Sequence, residues 1–177
     1  MLKVLVVSDT HAPSRWRGVP DALREPLQRS DVILHAGDVC TPGVLDDLSA
    51  FAPVHAVLGN NDGDDVAAWG APLVAELELE GVRVAMIHIA GPKQGRGRRM
   101  GHQFPNADVV VFGHSHMPVD MLEDGTHLFN PGSPTDPRRE PMGSYGWLEL
   151  DDGRMVSHGI HLIPRPVPLS DRKRGHG

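Results

Sequence analysis

Short apolar runs rich in Val, Ile and Leu recur along the first two thirds of the chain, each stopped by a polar or glycine-containing segment. Lys3 to Val7, Val32 to His35, Val54 to Leu58, Val82 to Ile87 and Val109 to Phe112 are apolar at consecutive positions. That pattern predicts strands buried on both faces rather than half-exposed ones. Helices are predicted between some of them. Pro20 to Arg29 is one, with Pro26 expected to distort it. Thr41 to Leu48 is a second, with Thr41 as its cap and Pro42 at the first helical position. A third, weakened by its glycines, lies between Lys93 and Phe104.

After Phe112 the pattern becomes one of hairpins. Met117 to Glu123 and Thr126 to Asn130 flank Asp124-Gly125, and Tyr145 to Leu150 and Met155 to Leu162 flank Asp151-Asp152-Gly153. Glu76 to Leu79 and Arg83 to Met86 flank Glu80-Gly81 in the same way. The chain therefore reads as an α/β half followed by antiparallel β, an α+β mixture. Residues 1–163 form one expected domain, and the Pro-, Arg- and Lys-rich residues 164–177 an expected disordered tail.

Composition narrows the function. With 177 residues, one Cys and a net charge of −6, the chain has no disulfide framework and no Cys-only zinc site. The acidic balance argues against a stable nucleic-acid complex or a polybasic membrane surface. No apolar run approaches the roughly 18 residues of a membrane span. The N-terminus turns polar at Ser8-Asp9, too early for a secretory signal, which points to the cytoplasm. Eleven histidines are the unusual count.

Their placement matters more than their number. The first strand ends in Asp9-Thr10-His11, the second in Gly37-Asp38 and the third in Gly59-Asn60-Asn61-Asp62. The fourth ends at His88 and the fifth in Gly113-His114-Ser115-His116. In α/β sheets, ligands bind at the C-terminal ends of strands. Taken singly, each of these motifs is more often a turn; their order and spacing together are specific. Asp9, His11, Asp38, Asn60, His88, His114 and His116 combine carboxylate, imidazole and amide oxygen, a donor set suited to Mn, Fe, Ni, Co or Zn. Seven side chains are too many for one tetrahedral site and suit two divalent ions sharing a bridging carboxylate, for which Asp38 is the natural choice.

These five blocks resemble those of the calcineurin-like metallophosphoesterase superfamily. The later Asn130-Pro131-Gly132-Ser133 and the chain length resemble its small single-domain prokaryotic phosphodiesterases. The resemblance implies a four-layer α-β-β-α sandwich of two mixed sheets, with a metal pair at the strand ends. By block position, Asp9, His11, Asp38 and His116 would hold one ion and Asp38, Asn60, His88 and His114 the other, with Mn in first place and Ni, Fe, Co or Zn as alternatives. The implied activity is a phosphodiesterase in which a metal-bound hydroxide attacks phosphorus of a small-molecule diester.

The sequence departs from the superfamily pattern at Asn61, where many members have a histidine thought to protonate the leaving group. An amide is no general acid. Asn61, with Asp62, is then expected to assist by hydrogen bonding, and esters with good leaving groups to be preferred. No Arg follows Gly37-Asp38, which argues against a phosphoprotein phosphatase. Arg96, Arg98 and Arg99 are candidate contacts to a second phosphate, with a solvated basic loop as the simpler alternative. Cys40 reads as an inert thiol, and His35 as a group that orients a ligand from behind or fills the core. A phosphomonoesterase or nucleotide pyrophosphohydrolase of the same superfamily would differ only in substrate. The retromer-coat scaffold shares the fold but has a degraded site; here all seven ligand positions are filled, which favours an enzyme. Exposed strands near the C-terminus are compatible with a homodimer.

Overall fold

The computed structural model describes residues 1–164. The expected tail, residues 164–177, lies outside the described residues apart from Pro164. Ten strands and four helices follow in the order β1 (Leu2–Val7), α1 (Asp21–Arg29), β2 (Val32–His35), α2 (Gly43–Ser49), β3 (Val54–Ala56), α3 (Asp64–Trp69), β4 (Val74–Leu79), β5 (Val82–Ile87), α4 (Arg96–Gln103), β6 (Val109–Val111), β7 (Val119–Glu123), β8 (Thr126–Asn130), β9 (Gly143–Asp151) and β10 (Arg154–Ile163).

They build two five-stranded mixed sheets, ordered β10-β9-β1-β2-β3 and β4-β5-β6-β8-β7. The central strands of both sheets, β1, β2, β5 and β6, are the β-branched runs. Period-two alternation explains why they are apolar throughout. In β1, Val4 and Val6 enter the core between the sheets, whereas Leu5 and Val7 pack under the helices. In β6, Val109 and Val111 face the inter-sheet core and Val110 faces the opposite side, with Met100 and Phe104 at the α4 end. Leu23 and Leu27 of α1, Leu45 and Leu48 of α2 and Val66 of α3 cover the outside of the first sheet. The result is the four-layer order of helices, sheet, sheet and helix.

Two-residue turns close three hairpins at Glu80-Gly81, Asp124-Gly125 and Asp152-Gly153. In each, both turn residues have positive φ, between 47° and 79°. These are the primed turns whose twist matches the flanking strands.

Three details differ from expectation. Thr41 does not cap α2: Pro42 occupies the cap position with no side-chain hydrogen bond, and Thr41 contributes only its carbonyl, to Val44 N at 3.3 Å. Helix α1 runs through Pro26, which is buried against the first sheet. Helix α3 was not expected from the hydrophobic pattern. Only Val66 of its six residues is buried, so it has no apolar period, and Trp69 Nε1 ties it to Asp46 Oδ1 at 3.0 Å.

Candidate metal centre

Because β1, β2 and β3 are parallel neighbours, their C-terminal ends bring residues 8–11, 36–40 and 58–62 together. The ends of β5 and β6 in the second sheet bring His88 and residues 113–116 against them. Gly113 N donates to His88 O at 3.0 Å, and Asp9 N to Gly37 O at 2.9 Å. The close approach explains two glycines. A Cβ at Gly59 would lie 2.1 Å from Asp38 Oδ1, and one at Gly113 would lie 2.1 Å from Ser8 Oγ and 2.9 Å from Asp9 Oδ2.

The potential donors fall into two groups, Asp9 with His11 and His116, and Asp38 with His88 and His114. Asp38 lies between them: its Oδ2 is 3.4 Å from His88 Nε2 and 3.6 Å from His11 Nε2. Asn60 Oδ1 is 3.1 Å from His88 Nε2 and 3.0 Å from His114 Nδ1, so it joins the second group. His11 Nε2 and His116 Nε2 face each other at 3.2 Å. Asp9 Oδ2 accepts from Ser8 Oγ and His114 N, while buried Asp9 Oδ1 has no hydrogen-bond partner among the described residues. Leaving a buried carboxylate oxygen unpaired is costly, and a cation is the partner that this oxygen, with three imidazoles within 3.8 Å of it, is equipped to meet. The donor set fits borderline divalent ions.

The imidazoles are held from behind. His88 Nδ1 donates to Ala36 O at 2.7 Å and His116 Nδ1 to Asp136 O. Each bond fixes the ring and turns Nε2 inward, an arrangement typical of metal-ligating histidines. Asp9, His11, Asp38, His114 and His116 all have positive φ, between 47° and 73°. Such backbone costs of order 1–3 kcal/mol per residue and clusters at functional sites. The 130–136 loop braces this arrangement. Ser133 Oγ donates to Asp9 O, Thr135 Oγ1 to Thr10 O, and Asn130 Nδ2 to Gly113 O.

A sequence profile of the Calcineurin-like phosphoesterase superfamily domain matches residues 2–153. The chain belongs to this superfamily. A protein of Methanothermobacter thermautotrophicus named a probable metallophosphoesterase is 40% identical over 141 residues, covering 75% of this chain and 77% of the relative. Phosphodiesterase YfcE of Escherichia coli K12 is 30% identical over 173 residues, covering 85% and 89%. Among solved structures, a single mutant (D62A) of Vps29 from Entamoeba histolytica superposes with a TM-score of 0.73 at 22% identity, covering 92% and 99%, which is a likeness of fold.

Within this metallophosphoesterase frame, the neighbouring residues set the charge. Burial alone would raise the Asp38 carboxyl, but His88 and the backbone and side chain of Asn61 together hold it well below the usual carboxylate range. Asp9 raises His11, and Asp38 and Asp9 raise His88 against its burial. Asn61 donates N–H and Nδ2 to the two Asp38 oxygens at 2.9 and 2.8 Å. The Asp62 carboxylate accepts the backbone N–H groups of Asp38, Cys40 and Gly59 at 2.9, 2.7 and 2.7 Å. It is the clamp that joins the ends of β2 and β3, a role not evident from an Asn-Asn-Asp-Gly turn. Arg96 and Arg99 bind backbone carbonyls of the 90–94 loop, Arg96 at Gly91 O and Arg99 at Ala90 O and Pro92 O. Arg96 also stacks over Phe112 and lines a pocket with His114, while Arg98 is exposed.

His35 lies fully buried behind the strand-end loops. Gly37 N donates to its Nδ1 at 3.2 Å, so Nε2 carries the proton and donates to Thr10 Oγ1 at 3.0 Å. Burial pushes its pKa down from 6.5 to about 4. Between those values the unfolded chain takes up a proton that the folded protein refuses. The stability held by neutral His35 is complete above pH 6.5 and is lost as pH falls toward 4, about 3 kcal/mol in all. Because the raised His11 and His88 slope the other way, the difference in urea-unfolding stability between wild type and His35→Gln is the readout, and it is expected to grow with pH between 4 and 7. A difference that does not vary with pH would contradict the assignment.

Proposed function

We propose that the protein is a phosphodiesterase working with two divalent ions held by Asp9, His11, Asp38, Asn60, His88, His114 and His116. The observation that carries this reading is the convergence of two His/Asp donor groups on Asp38 beside the unpartnered Asp9 Oδ1. Ions bound there would supply an activated water and neutralise charge building on the phosphoryl oxygens; Mn leads the list, with Ni, Fe, Co and Zn accepted by the same donors. The ions also account for an anionic substrate on a chain of net charge −6. The names of the curated relatives support hydrolysis of phosphate esters, and YfcE supports a diester.

The chain's own residues shape the rest. Asn61 orients Asp38 and can offer its amide to a phosphoryl oxygen, but it has no proton to give a leaving group. A groove of about 430 Å³ opens beside Asn60 and His88, lined by Leu58, Leu73, Val74, Ile87 and Ile89. This apolar wall fits an aryl or similarly nonpolar ester group next to the phosphate. Both features favour diesters whose leaving groups depart without help.

The test is kcat/KM for a series of aryl phosphodiesters of graded leaving-group pKa, run with Mn, Ni, Co, Fe and Zn, with alkyl and aryl monoesters alongside. A steep dependence is expected, with alkyl monoesters about 10²–10⁴-fold slower, the factor a missing general acid accounts for. A flat dependence rejects the leaving-group preference, and faster monoester turnover favours a phosphomonoesterase. The Vps29 likeness keeps a scaffold reading in play; absence of turnover with every metal would favour it.

A further inference from the structure

The two sheets meet a second time, far along the chain from the strand-end motifs. Asp120 on β7 stands opposite Phe129 of β8, and His127 lies two residues from Phe129 on the same face of that strand. Phe129 belongs to the inter-sheet core. On the other sheet, His158 of β10 stands opposite Leu148, also a member of that core. The three polar side chains therefore close one open edge of the sandwich. Asp120 Oδ1 is 2.7 Å from His127 Nε2, and Asp120 Oδ2 is 2.7 Å from His158 Nδ1. The imidazoles meet edge to face, with centroids 4.7 Å apart.

We propose that Asp120, His127 and His158 form a further divalent-cation site of the zinc-like class, separate from the centre at the strand ends, that clasps the two sheets together. One ligand atom from each residue lies within 4.8 Å of the others. Two imidazoles and one carboxylate are a common borderline-metal donor set, and a tetrahedral ion with bonds of about 2.0–2.1 Å needs its ligand atoms roughly 3.3 Å apart. Each 2.7 Å pair, one on either oxygen of Asp120, has to open by about 0.6 Å. Binding exchanges two N–H···O bonds for metal bonds, and each neutral imidazole moves its proton to the other ring nitrogen. The charges match: one carboxylate with two neutral imidazoles carries −1, which a dication outweighs. Access is from the His158 side, where that side chain is 41% exposed against 13% for His127. The fourth position is left to water.

Equilibrium dialysis of the whole protein against Zn²⁺, with metal counted by mass spectrometry, tests the site. The double variant His127→Gln, His158→Gln is expected to bind one equivalent less than wild type and to lose part of the zinc-induced rise in Tm. His161→Gln, which removes a histidine stacked on Tyr145, is expected to match wild type. Equal stoichiometry in the double variant and wild type overturns the proposal and leaves a purely hydrogen-bonded cluster. Should the double variant not fold, a ¹⁵N imidazole titration of wild type with Zn²⁺ decides. Shifts at His127 Nε2 and His158 Nδ1 support the site, and unmoved resonances overturn it.

Discussion

Asp38→Ala is expected to lower phosphodiester turnover by roughly 10³-fold or more and to cut metal content, while leaving the protein folded. The magnitude follows from the several kcal/mol of charge stabilisation that such ions supply to phosphoryl transfer. Asp38 reaches both donor groups more closely than Asp9 does, 3.4 Å from His88 and 3.6 Å from His11 against 3.8 Å from Asp9 Oδ1 to each. Alanine offers neither group a bridge. The structural cost is smaller, because Asn61 is exposed and its two donors can turn to water, about 1–2 kcal/mol in all. Turnover and metal content are to be measured on the same preparations, with Cys40→Ala as the control. That thiol is pushed up to about 11 by burial and by the carboxylates of Asp62, Asp38 and Asp9, so it is no thiolate ligand; its 3.7 Å contact with His11 Nδ1 is weak, and both readouts should stay within about twofold of wild type. Retained turnover in metal-stripped Asp38→Ala protein would reject the proposed mechanism.

Asp62→Ala is expected to be the most destabilising single change in the strand-end loops. Three backbone N–H groups, at Asp38, Cys40 and Gly59, lose their acceptor together. At about 1–3 kcal/mol for each donor left unpaired, the loss is about 3 kcal/mol or more. For a chain of this size that corresponds to a fall in Tm of roughly 6–12 °C. Activity should fall with it even where the variant is folded, because the same bonds hold the backbone at Asp38 and Gly59. Asp62→Asn keeps one acceptor oxygen and should lie between. Thermal and urea unfolding of the three proteins provide the check. A shift under 0.5 kcal/mol for the alanine variant would mean that water replaces the clamp.

The centre of the fold was the legible part. Runs such as Val109-Val110-Val111 must be buried on both faces, and they are, one face between the sheets and the other on the α4 side. The three Xaa-Gly turns likewise announced their hairpins. Helix α3 was hidden because one buried residue, Val66, makes no period. The joining of β9 to β1 was hidden because sheet order depends on contacts distant in sequence.

The same division holds for the sites. Asp9, Asp38 and His88 could be singled out because each ends a recognisable strand. The positive φ values there, the unpartnered Asp9 oxygen and the three N–H groups gathered by Asp62 are products of packing. The Asp120, His127 and His158 cluster left no motif at all. Its members come from three strands, and Asp120 and His158 are 38 residues apart.

The donors at the strand ends come from both sheets: Asp9, His11, Asp38 and Asn60 from the first, and His88, His114 and His116 from the second. Any cation engaging both sets is also a rivet between the two halves of the sandwich. Binding and cohesion of the halves then draw on one free energy, so resistance to unfolding rises with the logarithm of free metal concentration. The reverse coupling has the same size. Truncating Val6, Met86 or Phe129 to alanine, deep between the sheets and without a ligand atom of its own, would weaken apparent metal binding once a sizeable fraction of the metal-free protein is unfolded.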